Sequence, residues 1–203
     1  MGKKIARKEV VKLGMRYLIA SDIHGSLGYV ELLLDRFNEE KADMLILLGD
    51  ILYHGPRNDL PAYYNPTGVA VKLNEYKDKI ICVRGNCDAE VDQMMLQFPI
   101  LCDFGVMEID GRFFYLTHGH KYSIKNPPAV RKGSVVLSGH THVPMAKESD
   151  GIYYINPGSI SLPKGDSYPS YIVLENGKFW FKDLLTGIEY DDFDLPTETK
   201  TDL

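Results

Sequence analysis

The chain has 203 residues, 44% of them hydrophobic and 25% charged, with a formal net charge of −5 at pH 7. That length suits one domain with a sizeable core, and no apolar run approaches the roughly 18 residues that a bilayer-spanning helix needs, so no membrane segment is expected. The acidic balance argues against a nucleic-acid partner, while Cys82, Cys87 and Cys102 are too few for a disulfide framework or a four-cysteine zinc site and suggest a reducing, cytoplasmic setting.

Residues 1–14 carry Lys3, Lys4, Arg7, Lys8 and Lys12 without an apolar signal core, and read as an N-terminal extension outside the core. A single domain is expected over 15–189. It opens with strand-like Tyr17–Ala20, helical Leu27–Glu40, strand-like Met44–Leu48, helical Thr67–Tyr76, strand-like Ile80–Val83, and helical Glu90–Phe98 capped by Asp88. This alternation predicts a parallel sheet with helices packed on it. From Phe104 onward the pattern becomes short strands: 104–109, 113–117, 134–138, 152–156, 171–175 and 178–183. Asp110-Gly111, Asp150-Gly151 and Asn176-Gly177 separate several of them as hairpin turns. Two packed sheets accommodate both halves. The acidic segment 190–203 reads as a loosely docked tail, and Cys82 and Cys102 as small core residues.

The chemistry concentrates where strands end. Asp22 and His24 follow the first strand, Asp50 the second and Asn86 the third, while His118 and His120 end one later strand and His140 and His142 another. Ligands bind outside the carboxyl ends of strands in open α/β sheets, so five strand ends would deliver oxygen and imidazole donors to one rim. These donors suit Mn, Fe, Ni or Zn rather than a thiolate site. A carboxylate such as Asp50 can bridge two ions about 3.5–4 Å apart that share a hydroxide for in-line attack on phosphorus.

The set Asp22-x-His24, Gly49-Asp50, Gly85-Asn86, His118-Gly119 and Gly139-His140-x-His142 resembles the calcineurin-like metallophosphoesterase superfamily. Within it, His54-Gly-Pro-Arg57-Asn58, Gly85-Asn86-Cys87-Asp88 and Asn156-Pro-Gly-Ser159-x-Ser-x-Pro163 are similar to the YfcE-like bacterial phosphodiesterases. The resemblance runs from about Tyr17 to about Tyr171. It implies an α/β, four-layer αββα sandwich of two mixed sheets flanked by helices. It also implies two divalent ions, Mn foremost with Ni, Fe or Zn as alternatives. One ion would be held by Asp22, His24 and His142, the other by Asn86, His118 and His140, with Asp50 bridging.

One position departs from much of that superfamily, where a histidine follows the asparagine; here it is Cys87. An imidazole is well matched to proton donation near neutrality, whereas a thiol is a weaker donor whose thiolate a nearby metal pair would favour. Leaving-group expulsion is therefore expected to lean on the metals. Asp50, Asn86, Cys87, His54 and Arg57 form the expected catalytic group, and Arg57, Asn58 and His120 the substrate contacts. Arg57 and Asn58 have a bland alternative as exposed surface groups, and His120 as a supporting or solvent-facing polar group. His54 divides between orienting Asp50, touching substrate and closing its loop. Ser159 divides between a place near the metal rim and a structural turn.

The function that follows is metal-dependent hydrolysis of small phosphodiesters, with phosphomonoesters as a further substrate class. A homo-oligomer stays open. The alternative is a catalytically weak scaffold of the same fold, because the resemblance extends to a retromer subunit. A nuclease is disfavoured for want of a basic and aromatic stripe.

Overall fold

The structure is a computed structural model that describes residues 14–196. The expected extension at 1–14 lies outside those residues apart from Gly14, as do residues 197–203 of the expected tail. The first half runs β1 (Tyr17–Ala20), α1 (Leu27–Glu39), β2 (Met44–Leu47), α2 (Pro66–Asn74), a 3-10 turn (Lys77–Lys79), β3 (Ile80–Cys82) and α3 (Glu90–Gln93). The second half is β4 (Phe104–Ile109), β5 (Arg112–Thr117), β6 (Val135–Leu137), β7 (Pro144–Ser149), β8 (Ile152–Pro157), β9 (Ser170–Glu175), β10 (Lys178–Asp183) and β11 (Glu189–Asp194).

Two mixed sheets result. One has the order β11-β10-β9-β1-β2-β3 and the other β4-β5-β6-β8-β7. β1, β2 and β3 are parallel, as are β5, β6 and β8. The three hairpin turns form as expected, with Asp110, Asp150 and Asn176 at φ of 51°, 54° and 50°, the left-handed start that a tight two-residue hairpin requires.

Alternation along β1 and β2 sorts the core into layers. Leu18, Leu45 and Leu47 face α1 and α2, where Val30, Leu33 and Phe37 repeat at helical spacing beside Val69 and Leu73. Ile19, Ile46, Ile172 and Phe179 face the other way, against Phe114, Leu116, Leu137 and Ile155 of the second sheet. Being covered on both sides, β1 reads as an unbroken apolar run, and each such side chain contributes about 2–3 kcal/mol on burial. Asn65 starts α2 by accepting the Gly68 N–H at 2.9 Å, with Pro66 in the first turn. No helix among the described residues is long and apolar enough to cross a membrane.

Several local expectations need correction. The helix expected over Glu90–Phe98 is only Glu90–Gln93, and its cap is Ala89, whose N–H donates to Asp92 at 2.9 Å. Beyond it the chain is held in an irregular path by Gln93, which binds the Leu96 and Phe98 carbonyls and the Ile100 N–H. Asp88 does not cap; it is buried under the centre described below. β7 and β11 were not anticipated, and the tail expected from Tyr190 begins as strand. Both are sheet edges, which need no apolar alternation, and the charges along Glu189–Asp194 are what an exposed edge tolerates. Cys102 is exposed rather than in the core. The two mixed sheets with helices match the expected α/β sandwich, and among the described residues the helices lie on the first sheet. Over the second, Tyr122, Ile124 and Val130 from the loop between β5 and β6 pack on Tyr115, Val136 and Tyr154 in place of a helical layer.

Candidate metal centre

The parallel strands of each sheet end at a common rim, and their loops are laced together by main-chain bonds. The Asp22 N–H donates to Gly49 O at 3.1 Å and the His24 N–H to Asp50 O at 2.9 Å, joining the loops after β1 and β2. The Gly139 N–H donates to His118 O at 2.8 Å, joining those after β6 and β5. Ser159 binds across the sheets, its hydroxyl donating to Asp22 O at 2.7 Å. Asp22, His24, Asp50, His140 and His142 all take left-handed φ, between 49° and 67°. For side-chain-bearing residues this costs on the order of 1 kcal/mol each and survives only where surrounding bonds enforce it. Two glycines let the loops close. A Cβ on Gly85 would lie 2.1 Å from Asp50 Oδ1, and one on Gly139 would lie 1.9 Å from Ser21 Oγ.

The donors converge in overlapping groups. Asp22, His24 and His142 present ligand atoms within 4.8 Å of one another, as do Asp22, Asp50 and His118, and also His24, Asp50 and Cys87. His118 Nε2 lies 3.4 Å from Asp50 Oδ2 and 3.1 Å from Asn86 Oδ1. His142 Nε2 is 3.2 Å from Asp22 Oδ1 and 3.2 Å from His24 Nε2.

Ring orientation says what these atoms are for. The Nδ1 atoms of His24, His118 and His142 sit 2.9, 2.7 and 2.7 Å from the carbonyls of Tyr53, Leu48 and Leu162. A carbonyl only accepts, so each Nδ1 carries a proton, and when the ring is neutral its Nε2 lone pair points inward. The facing Nε2 atoms of His24 and His142 would then oppose two lone pairs, and Asp22 Oδ1 is buried without a hydrogen-bond partner. Such an arrangement is satisfied by a cation, and the residues fit a divalent ion on that ground.

Burial would raise the pKa of Asp22, but the neighbouring His118, His142 and His24 imidazoles outweigh it and hold the carboxyl well below its usual range. Burial opposes charge on His118 too, yet Asp22 and Asp50 raise its pKa to about 9. Burial and the neighbouring His118 lower both His140 and His120. At Cys87, burial and the Asp50 carboxylate push the thiol up to about 12, so these surroundings act against the thiolate that a metal pair was expected to favour.

The remaining candidates are placed as follows. The His140 ring lies 5.1 Å from that of His118, and its backbone N–H donates to Asp22 Oδ2 at 2.9 Å. Asn86 is exposed and donates to Cys87 Sγ at 3.1 Å, while the Cys87 N–H donates to Asp50 Oδ1 at 2.8 Å. His120 stacks near His118 and His140 with its Nδ1 buried and unpartnered. His54 makes no hydrogen bond to Asp50; its ring packs edge-on between Tyr53 and Tyr64, at 4.7 and 5.4 Å. Asn58 closes its own loop by donating to His54 O at 2.8 Å. Arg57 is exposed and lines a cleft of about 960 Å³ over Asp50, Asn86, His140 and His142.

Two contributions escaped sequence reasoning. Asp88 is 3% exposed and accepts the N–H groups of Asp50, Ile51 and Gly85 at 2.9, 2.8 and 2.7 Å, clamping the loops after β2 and β3. Its place two residues after Asn86 had suggested only a helix cap. Arg84 and Lys164 join Arg57 along the cleft, and no sequence signal separates them from surface cations. Ser159 proves to be both a turn and a brace under Asp22.

Comparison with known proteins completes the description. Residues 15–178 match the model of the calcineurin-like phosphoesterase superfamily domain. The phosphodiesterase YfcE of Escherichia coli strain K12 is 48% identical over 162 residues, 80% of this chain and 88% of that protein. A solved structure of the E. coli phosphoesterase YfcE superposes with a TM-score of 0.87 at 42% identity, covering 90% of this chain and all of that one. A phosphodiesterase of Methanocaldococcus jannaschii is 30% identical over 152 residues, covering 71% of this chain and 83% of that protein. Vps29 from Entamoeba histolytica, complexed with zinc, matches at a TM-score of 0.56 and 20% identity over 90% of this chain and all of that one, a likeness of fold alone.

Proposed function

The chain belongs to the calcineurin-like phosphoesterase superfamily, and on that premise we propose that it hydrolyses phosphodiesters at the rim where its two sheets meet. The observation that carries this reading is the set of inward-facing Nε2 and carboxylate atoms whose lone pairs oppose one another unless a cation sits among them. Asp22, His24 and His142 would hold one divalent ion and Asn86, His118 and His140 a second, with Asp50 shared. The resemblance puts manganese first among the candidates, and the mixed oxygen and imidazole donors also suit Fe, Ni or Zn. When bound, the ions would supply an activated attacking water and neutralise charge on the phosphate.

The chain's own residues do the rest. The main-chain lacing and the Asp88 clamp fix the donors before substrate arrives, which keeps reorganisation out of the barrier. Arg57, Arg84 and Lys164 line the cleft with positive charge on an otherwise acidic protein, drawing in an anionic ester; Arg57 has the fork geometry for a phosphate. Cys87, a protonated thiol bonded to Asn86, stands beside the reacting position without the proton-donating strength of an imidazole. Expulsion of the alcohol would depend on the ions, and diesters with good leaving groups should turn over fastest. Monoesters fit the same cleft and are a secondary substrate class. The near-complete donor set supports catalysis over the scaffold reading. Free Cys82, Cys87 and Cys102 support a cytoplasmic setting.

The test is hydrolysis of aryl phosphodiesters and monoesters by chelator-treated protein, with and without Mn²⁺. Metal-dependent turnover favouring diesters is the expected result. Activity that survives chelation, or a monoester preference, would count against this reading.

A further inference from the structure

Beside the basic cleft lies a second pocket of about 380 Å³ with the opposite character, lined by Leu52, Tyr64, Pro66, Val91 and Met95. The two are contiguous, since Tyr53, Cys87 and Ala89 line both. The wall between them is tied to the centre, because Tyr53 O accepts the Nδ1 proton of His24 and the Cys87 N–H donates to Asp50. Thr67 and Asp92 also line it, and Asp92 Oδ2 accepts the Ala89 N–H at 2.9 Å. Its floor is rigid: the Tyr64 ring packs edge-on against His54, and Leu52 is 4% exposed. Its outer lip is open, with Val91 63% and Met95 45% exposed on and after the short α3.

We propose that this pocket receives an apolar ester group, so that the substrate is an unsymmetrical phosphodiester with one aryl or alkyl arm and one polar or anionic arm. The proposal rests on the phosphodiesterase reading above and sharpens it. A phosphodiester at the rim has two arms to place, and the surfaces on either side of Cys87 differ in kind. Arg57, Arg84 and Lys164 suit a charged or hydroxylated group, whereas Leu52, Pro66, Val91 and Met95 offer that group nothing to bond. A cavity of about 150 Å³ accommodates benzene, so this pocket has room for a ring or a short alkyl chain. Apolar walls next to a polar reaction centre also exclude water from one side of the scissile bond, while a few polar groups orient the ligand.

The experiment uses the Mn²⁺-loaded full chain and glycerophosphate diesters that differ only in a methyl, butyl, hexyl or benzyl arm, with products followed by phosphorus NMR. Each buried methylene raises kcat/KM by up to about fourfold, so hexyl should exceed methyl by at least about tenfold. Met95→Asp and Val91→Asp, both at exposed lip positions of the pocket, should flatten the series, cutting the hexyl-to-methyl ratio of kcat/KM by at least about fivefold. A flat wild-type series with the methyl ester turned over overturns the pocket assignment and leaves the phosphodiesterase reading standing. Absence of turnover across this series and the aryl diesters overturns both. Equal losses on methyl and hexyl esters in both variants, or a slope unchanged in both, also overturn the assignment. So does light scattering that shows the variants converting a dimer to a monomer with the slope intact, which would give the lip to a second copy of the chain.

Discussion

The two sheets approach the metal centre from opposite sides and bring different chemistry. The first supplies oxygens, from Asp22, Asp50 and Asn86, with His24 as its lone imidazole; the second supplies His118, His140 and His142. Their supports differ as well. The oxygen side is fixed by main-chain bonds between loops and by Asp88 gripping three backbone N–H groups. On the imidazole side the loops are joined by the Gly139 N–H bond to His118 O and by Asn156, which donates to Gly139 O, while His118 and His142 each orient through one Nδ1–carbonyl bond, that of His118 crossing to Leu48 after β2. On the proposed reading, the shared Asp50 carboxylate would sit on the half that Asp88 clamps, and the terminal imidazoles on the other.

That asymmetry predicts unequal damage. Asp50→Asn removes the shared charge and should lower kcat on the order of a thousandfold, with both ions lost on dialysis. His140→Ala removes a single donor and should cost about tenfold to a hundredfold, with one ion retained. Metal analysis alongside kinetics on an aryl diester decides the matter. Similar losses of metal and rate in the two variants would show that the sheets contribute equally.

The clamp offers a second way to break the comparison. Asp88→Ala leaves three buried N–H donors without an acceptor and should destabilise the metal-free protein by about 3–5 kcal/mol, read from denaturant midpoints. No single substitution at His140 or His142 should approach that. A loss below about 1 kcal/mol would mean that the loops after β2 and β3 hold their shape without Asp88.

Legibility in the sequence followed the same division. Strand order in the first half, the three hairpins and the clustering of Asp/His motifs at strand ends could all be read, because each depends on local pattern: period, turn residues and short spacing. The edge strands β7 and β11 could not, since edges lack alternation. Nor could the truncation of α3, where Gln93 captures the following carbonyls and overrides helix periodicity. Asp88 was visible as a residue but not as a clamp, because its partners Asp50 and Ile51 lie 38 and 37 positions away. His54 illustrates the limit for roles: its motif drew attention, yet only packing against Tyr53 and Tyr64 shows what its ring touches.

The smallest expected effect lies at the far end of the first sheet and serves as a control for the rim. Glu40 follows α1 and meets Arg16, which precedes β1, at 2.6 Å; it also meets Lys182 and accepts the Tyr171 hydroxyl at 3.2 Å. Burial would raise its pKa, but the bonds from Lys182 and Arg16 outweigh that and lower it below the usual 4.5. A lowered carboxylate pKa means that the folded state favours the ionised form. The resulting stability is fully present above about pH 4.5 and is lost as pH falls through the lower folded value. Because the pair is partly solvent-exposed, the contribution should be about 1 kcal/mol. Glu40→Gln removes the charge while keeping the shape. The stability difference between wild type and variant should therefore hold steady from pH 7 to pH 5 and shrink below that. Metal should leave this difference unchanged, because Glu40 sits at the end of β1 remote from Asp22. A difference that grows on acidification, or that varies with Mn²⁺, would tie this edge of the sheet to the rim and undo the separation between the two.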